Sequence, residues 1–246
     1  MRNYISADLY RIFRRIPRWI FIGIVLTMIF LVFKPSKDES LTIVELVEEI
    51  ETTLKFAPVF IGFIEIMYIF GDDFVGKTAQ IAIGIGVNRN KVILAKWLEM
   101  IIVTAIDVIT IVILALVLSV MRTHTLPAQL VADIIAHTLV AIMATAAYTA
   151  LVFPVMFAMQ TITVAFLLYM LLSVGAINQL MQLLFQLKWL KKLTLENYTL
   201  TNCLNVFRSR MILGSFHIKS MIGIIIYIAG ALYLTYVVYK KRELEF

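Results

Sequence analysis

Eight residues, Gly71-Asp72-Asp73-Phe74-Val75-Gly76-Lys77-Thr78, satisfy the spacing G-x-x-x-x-G-K-[ST]. In a phosphate-binding loop, backbone amides wrap the phosphates, the lysine reaches them and the threonine holds magnesium. That chemistry needs a buried strand before the loop, a helix after it and a parallel sheet around both. Here the eight residues follow an apolar run, and no polar stretch nearby is long enough for a nucleotide-binding domain. Asp72 and Asp73 would also place negative charge beside the phosphates. The match is read as a coincidence of spacing. No other catalytic constellation stands in its place. His124, His137 and His217 lack metal-ligand spacing, and no serine or cysteine has a base nearby in sequence. Cys203 is the single cysteine, which excludes an intramolecular disulfide and a cysteine-based metal cluster. The chain is expected to be non-enzymatic, with no metal and no cofactor of its own.

Three ionisable residues, Glu65, Asp107 and His137, fall inside apolar runs rather than at their ends. A charge at the centre of a bilayer costs at least about 2.5–3.5 kcal/mol, so such residues face protein or water and mark either a transport path or an interior pair. Lys96 and Glu99, three apart on one helix, are expected to pair. Asn178, Gln179, Gln182 and Gln186 add an uncharged polar stripe, suited to gluing helices together or lining a polar path.

Composition sets what must position these groups. Of 246 residues, 61% are hydrophobic and only 15% charged, and the mean hydropathy is +0.93. Soluble domains have about 45–50% apolar and about 25% charged residues, so the excess needs lipid as its solvent. Apolar runs near the roughly 20 residues that cross a bilayer lie at about 19–33, 56–70, 92–120, 131–159, 161–187 and 216–239. The expected fold is an all-α membrane protein, a single permease-like domain over 1–246 with about six transmembrane helices. The run at 19–33 lacks small residues at a cleavage site and reads as a retained helix.

Ahead of it, residues 3–16 place Ile5, Leu9, Ile12, Phe13 and Ile16 on one helical face, with Asp8, Arg11, Arg14 and Arg15 on the other. This predicts an interfacial helix within 1–18, ended by Pro17, whose Arg11, Arg14, Arg15 and Arg18 face anionic lipid. Ile43, Val47, Ile50 and Leu54 repeat at helical spacing within the acidic segment 34–55, predicting a second surface helix on the opposite side. The net charge of +6 does not point to nucleic acid, because the basic residues sit at the ends of spans. Twelve of the 22 basic residues fall near the N-terminus, the 71–96 segment and the C-terminus, which sets both termini in the cytoplasm. The segment 188–215 disagrees in charge, holding Lys188, Lys191, Lys192, Arg208 and Arg210, and is read as a long extracellular or re-entrant loop.

The stretch 71–97 runs from a short helix expected at 74–85, through Gly84 and Gly86, to Arg89, Lys91 and Lys96 at the start of the third span. It resembles the first cytoplasmic loop of ABC-2-type permeases, the membrane subunits of ATP-binding-cassette transporters. Gly86, Arg89 and Lys96 stand where that loop has a turn residue, an arginine and a helix-start lysine. The amphipathic N-terminus, six spans, long loop before the last span and basic C-terminus extend the likeness to the whole architecture. The resemblance implies a permease subunit in a bacterial cell membrane, paired with a second permease chain, identical or not. ATP and magnesium would be held by a separate ATPase subunit, coupled through 71–91 with Lys77, Thr78, Gly84, Gly86, Arg89, Lys91 and Lys96. Among such permeases it looks most like exporters of peptides or amphipathic substrates, including those giving immunity to antimicrobial peptides. The alternative from the residues alone is an ion-coupled secondary transporter using Glu65 and Asp107. That reading calls for internal repeats, and none is clear.

Overall fold

The computed structural model describes residues 2–33, 43–75, 78–123, 128–186 and 195–241. Every regular element among them is a helix. The chain runs through α1 (Arg2–Phe13), α2 (Ile16–Phe33), α3 (Ile43–Val75), α4 (Thr78–Gly84), α5 (Arg89–Thr123) and α6 (Ala128–Met159). It continues through α7 (Ile162–Ser173), α8 (Ala176–Phe185), α9 (Leu200–Ile212) and α10 (Ile218–Lys241). Among the described residues, four stretches are long and apolar enough to cross a membrane: Glu48–Gly71, Arg89–Leu118, Val131–Met159 and Ile218–Lys241. A fifth exists if α7 and α8, bent by 60°, count as one, and α2 holds the shorter apolar helix Arg18–Met28.

The runs expected at 92–120, 131–159 and 216–239 therefore correspond to α5, α6 and α10, while several boundaries move for identifiable reasons. The N-terminal helix stops at Phe13, before Arg14 and Arg15, and Pro17 opens α2 instead of ending α1. Proline lacks an N–H, so a first helical turn, whose N–H groups have no partner anyway, is where it fits. Trp19 also holds this corner, donating from Nε1 to the Phe13 carbonyl at 2.8 Å. The described part of 34–55 is no separate surface helix. From Ile43 onward it is the first third of the 33-residue α3, and Ile50 and Leu54 are buried. Residues 34–42 lie outside the described residues.

The single fifth span expected at 161–187 breaks at Val174–Gly175. Gly175 has φ 84°, a left-handed conformation that glycine adopts without steric cost, and it forms the N-cap of α8. The 188–215 segment contains a 13-residue helix, α9, where a loop was expected. Thr199 caps it, accepting from Asn202 N, and Leu200, Cys203, Leu204 and Phe207 pack inward.

The larger of two apolar cores draws Ile12 from α1, Ile69 from α3, Met100 from α5, Phe153 from α6, Tyr169 from α7, Leu204 from α9 and Tyr239 from α10, and the smaller joins α3, α5 and α6 through Leu54, Val108 and Ile134. Edge-on aromatic contacts link Phe70 to Phe153 at 5.3 Å and Phe157 to Tyr239 at 4.9 Å, a geometry favoured by ring quadrupoles. At Gly62 a side chain is excluded. A Cβ there would fall on the Tyr169 ring and hydroxyl and lie 3.0 Å from Thr145 Cγ2. The gap lets fully buried Tyr169 donate its hydroxyl to the Pro58 carbonyl, tying α7 to α3.

Gly62→Ala is expected to lower stability by about 1–3 kcal/mol through overpacking, more than Tyr169→Phe, which removes only the hydrogen bond. Thermal unfolding in mild detergent measures both, and an unchanged midpoint for Gly62→Ala would contradict the α3–α7 packing. Cys203 gives a second check, since it is 7% exposed and its Sγ lies 3.0 Å from where a Gly223 Cβ would stand. Burial pushes its thiol pKa up, leaving less thiolate at neutral pH. Maleimide should therefore modify folded protein slowly at pH 7, faster as pH rises, and without delay after denaturation. Fast labelling of the folded chain at pH 7 would show that α9 does not pack on α10.

Candidate functional site

Near the start of α5, Lys96 is 1% exposed. An ammonium group has three N–H donors and no acceptor, and three carboxylates surround this one. Asp8 of α1 is in direct contact, Asp73 Oδ2 of α3 is at 2.5 Å, and Glu99 Oε2, one helical turn along α5, is at 3.3 Å. Arg11 Nη2 joins the same group, 3.1 Å from Asp73 Oδ1 and 3.4 Å from Asp8 Oδ1. The Lys96 Nζ also lies 5.5 Å from the Tyr4 ring centroid. Burial pushes the Tyr4 phenol pKa up, so the ring stays neutral beside the ammonium. The expected Lys96–Glu99 pair is present, but it is one side of a cluster of five ionisable residues joining α1, α3 and α5.

A second node lies farther along α5. Arg18 of α2 is 2% exposed and pairs in direct contact with Asp107. Its guanidinium also sits over the Phe13 ring at 4.1 Å. Glu65, 2% exposed, accepts from Thr104 Oγ1 at 2.5 Å and makes no ion pair among the described residues. Arg18 and Asp107 border a cavity of about 20 Å³ between α2, α3 and α5, which matches the room one water needs. Arg18 Nε and Nη1 have no hydrogen-bond partner among the described residues.

The third feature is the α4 turn. Gly71–Val75, the first five residues of the phosphate-loop spacing, are helical and close α3, and Lys77 lies outside the described residues. The described residues before them, from Ile43, are helical, so a helix stands where the cradle needs a strand. Thr78 donates its hydroxyl to Asp73, within the ionic cluster. Helix α4 buries Ala79, Gln80 and Ala82, and Gln80 Nε2 donates to Gln160 Oε1 at 3.1 Å, at the α6–α7 corner. Outward it presents Ile81 at 57% and, just beyond its end, Ile85 at 80% exposure. Gly86, with φ 99°, then turns the chain into α5. No protein-family model, curated protein or solved structure matches the chain.

The expected site residues thus separate by environment. Gly84, Gly86 and Lys91 are exposed around the α4 turn, whereas Thr78 and Lys96 face the cluster. Arg89 donates to the Tyr239 and Lys240 carbonyls at 2.6 and 3.1 Å, satisfying orphan carbonyls at the C-terminus of α10. Of the four arginines expected to face lipid, Arg18 is buried, Arg11 is ion-paired and Arg15 is half-buried, leaving Arg14 exposed. Arg18 departs furthest from expectation, because Asp107 would otherwise be a buried charge without a partner. His137, 5% exposed, lies 3.2 Å from Glu51 Oε1. Asn178 and Gln182 are on α8, which buries none of its residues; the stripe is at the bundle's edge rather than in its interior. Sequence reasoning missed Ile81 and Ile85, although their spacing of four gave the signal of one helical face.

Removing one partner of a buried ion pair costs about 3–5 kcal/mol, so Arg18→Leu should destabilise by that order. Arg18→Leu/Asp107→Leu should recover most of the loss, because no unpaired charge remains between them. A double-mutant cycle of thermal midpoints in mild detergent measures the coupling. A double variant no more stable than Arg18→Leu would show that the two side chains are not paired.

Proposed function

We propose that the chain is the permease subunit of an ABC-2-type exporter, crossing the membrane six times and moving a peptide or amphipathic substrate. ATP is hydrolysed on a separate subunit, and a second permease chain completes the path. The observation that carries this reading is α4: a seven-residue helix between two spans, fixed on its inner face and bearing exposed Ile81 and Ile85. An ATPase that closes around nucleotide needs such a knob, rigidly attached to the spans it must move. Hydrogen bonds and ion pairs gather α1, the end of α3, α4, the start of α5, the α6–α7 corner and the end of α10 at one end of the bundle. With Arg14, Lys91, Lys240 and Lys241 also there, the positive-inside rule makes this end cytoplasmic, so both termini are inside. The sixth crossing is α2, short enough to require local thinning of the bilayer or flanking residues.

A second reading, an ion-coupled carrier, draws on Glu65, a buried acid with no described ion-pair partner. Asp107 supports it less, because Arg18 already compensates its charge.

Photo-crosslinkers at positions 81 and 85 should trap a soluble ATPase subunit in native membranes. Ile81→Asp and Ile85→Asp should reduce its recovery at least about tenfold, as expected for losing one or two buried apolar anchors. Arg89→Glu should instead disturb the α5–α10 tie and lower stability. Purified alone, the chain should not bind ATP, with or without Lys77→Ala. Saturable ATP binding abolished by Lys77→Ala, or full ATPase recovery with both aspartates in place, would reject the permease assignment.

A further inference from the structure

A cavity of about 120 Å³ opens between α3, α6, α7 and α9, toward the end of the bundle opposite α4. Leu54, Ala141, Ala144 and Leu204 give it an apolar floor, each 3–6% exposed. Lys55, Arg208 and Asn205 stand around it with the Ser173 and Thr201 hydroxyls, and no carboxylate lines it among the described residues. Glu51 is shared between two of the lining residues: its Oε1 is 2.7 Å from Lys55 Nζ and 3.2 Å from Nε2 of His137. Arg208 reaches only Asn205 Oδ1, at 3.1 Å, and makes no ion pair among the described residues.

We propose that this cavity binds an oxyanion carried on a short apolar group. The carboxylate or phosphate meets Arg208 and Lys55, and the attached carbons rest on the alanine and leucine floor. The planar guanidinium matches such a group through paired N–H donors, and the neighbouring hydroxyls and amide supply further hydrogen bonds. Drug-sized pockets span about 300–1,000 Å³, so this one takes a terminal group of a ligand rather than a whole large molecule. Both a soluble acid and an anionic lipid headgroup present that chemistry. The site stands on this chain's own side chains and does not depend on ATPase coupling.

The full chain in uncharged detergent is heated with increasing N-acetyl-leucine, a carboxylate on a small apolar side chain, and in parallel with its neutral amide, N-acetyl-leucinamide. The acid should raise the thermal midpoint saturably and the amide should not. Arg208→Gln should weaken the apparent affinity at least about tenfold, the loss expected for one charge-assisted hydrogen bond, whereas Arg208→Lys should retain part of it. Lys55→Gln should have the smaller effect, because Glu51 already shares that charge. Arg208 is partly exposed, so its variants should keep the ligand-free midpoint, which is checked first; if Arg208→Gln fails that check, Lys55→Gln and the acid–amide comparison carry the decision. Nanodiscs with phosphatidylglycerol in place of phosphatidylcholine identify the source. Protection by phosphatidylglycerol that displaces N-acetyl-leucine assigns the site to a lipid headgroup, and undiminished N-acetyl-leucine binding assigns it to a soluble acid. Equal shifts from acid and amide, indifference to Arg208→Gln, or no response to any of these oxyanions would overturn the proposal.

Discussion

The Lys96 ammonium, 1% exposed within a candidate membrane span, is the constraint around which the N-terminal third is arranged. A buried unpaired charge is strongly destabilising, by several kcal/mol even after relaxation. Lys96 must therefore find carboxylates, and α5 itself offers Glu99 alone at a suitable spacing. The remaining two come from α1 through Asp8 and from α3 through Asp73. This explains why α1 is docked on the bundle. Attraction of a basic residue to an anionic surface contributes about 1 kcal/mol, less than the cost of leaving a buried charge alone. Pairing the buried charge prevails, and Asp8 and Arg11 from the polar face of α1 meet protein alongside Ile12 from its apolar face.

The same comparison explains which features the amino-acid pattern disclosed. The apolar runs of α5, α6 and α10 are long enough that the bilayer requirement outweighs any local ambiguity. Segment 43–54 misleads because its acids suggest water, yet Ile50 and Leu54 continue the buried stripe of α3 while Glu51 is held by Lys55 and His137. The break at Gly175 depends on one left-handed residue inside an apolar run, and hydropathy does not register backbone conformation. In α9, mixed basic and apolar residues resemble a loop until α6 and α10 provide the surface that buries Cys203 and Phe207.

For the candidate site, the burial of Glu65 and His137 and the partial burial of Asp107 were legible, since each interrupts an apolar run. Their partners were not. Arg18 and Asp107 are 89 positions apart, and an arginine beside Trp19 at the start of an apolar helix has the same local pattern whether it meets lipid phosphate or a buried aspartate. Arg89 was singled out for its place in the turn, but the carbonyls it caps belong to the far end of the chain. Periodicity reports which face of a helix a residue occupies and is silent on what that face meets.

In the proposed permease, these long-range ties give α4 its mechanical meaning. Thr78 is bonded to Asp73, which is bonded in turn to Lys96 and Arg11, so the start of α4 is continuous with α1, α3 and α5. Gln80 holds the α6–α7 corner, and Arg89 holds the end of α10. A force applied to Ile81 and Ile85 therefore reaches both sides of the bundle through polar contacts that are partly or fully buried. Packed interiors deform little and switch between discrete arrangements, so the helices tied to α4 respond to that force as packed units. Moving an equilibrium from 1:99 to 99:1 takes about 5.5 kcal/mol of differential binding. Ile81 and Ile85 still expose 57% and 80% of their surface, and burying that remainder contributes about 2–4 kcal/mol. The exposed face of α4 thus supplies a large part of such a bias, provided that the partner buries it in one state and releases it in the other.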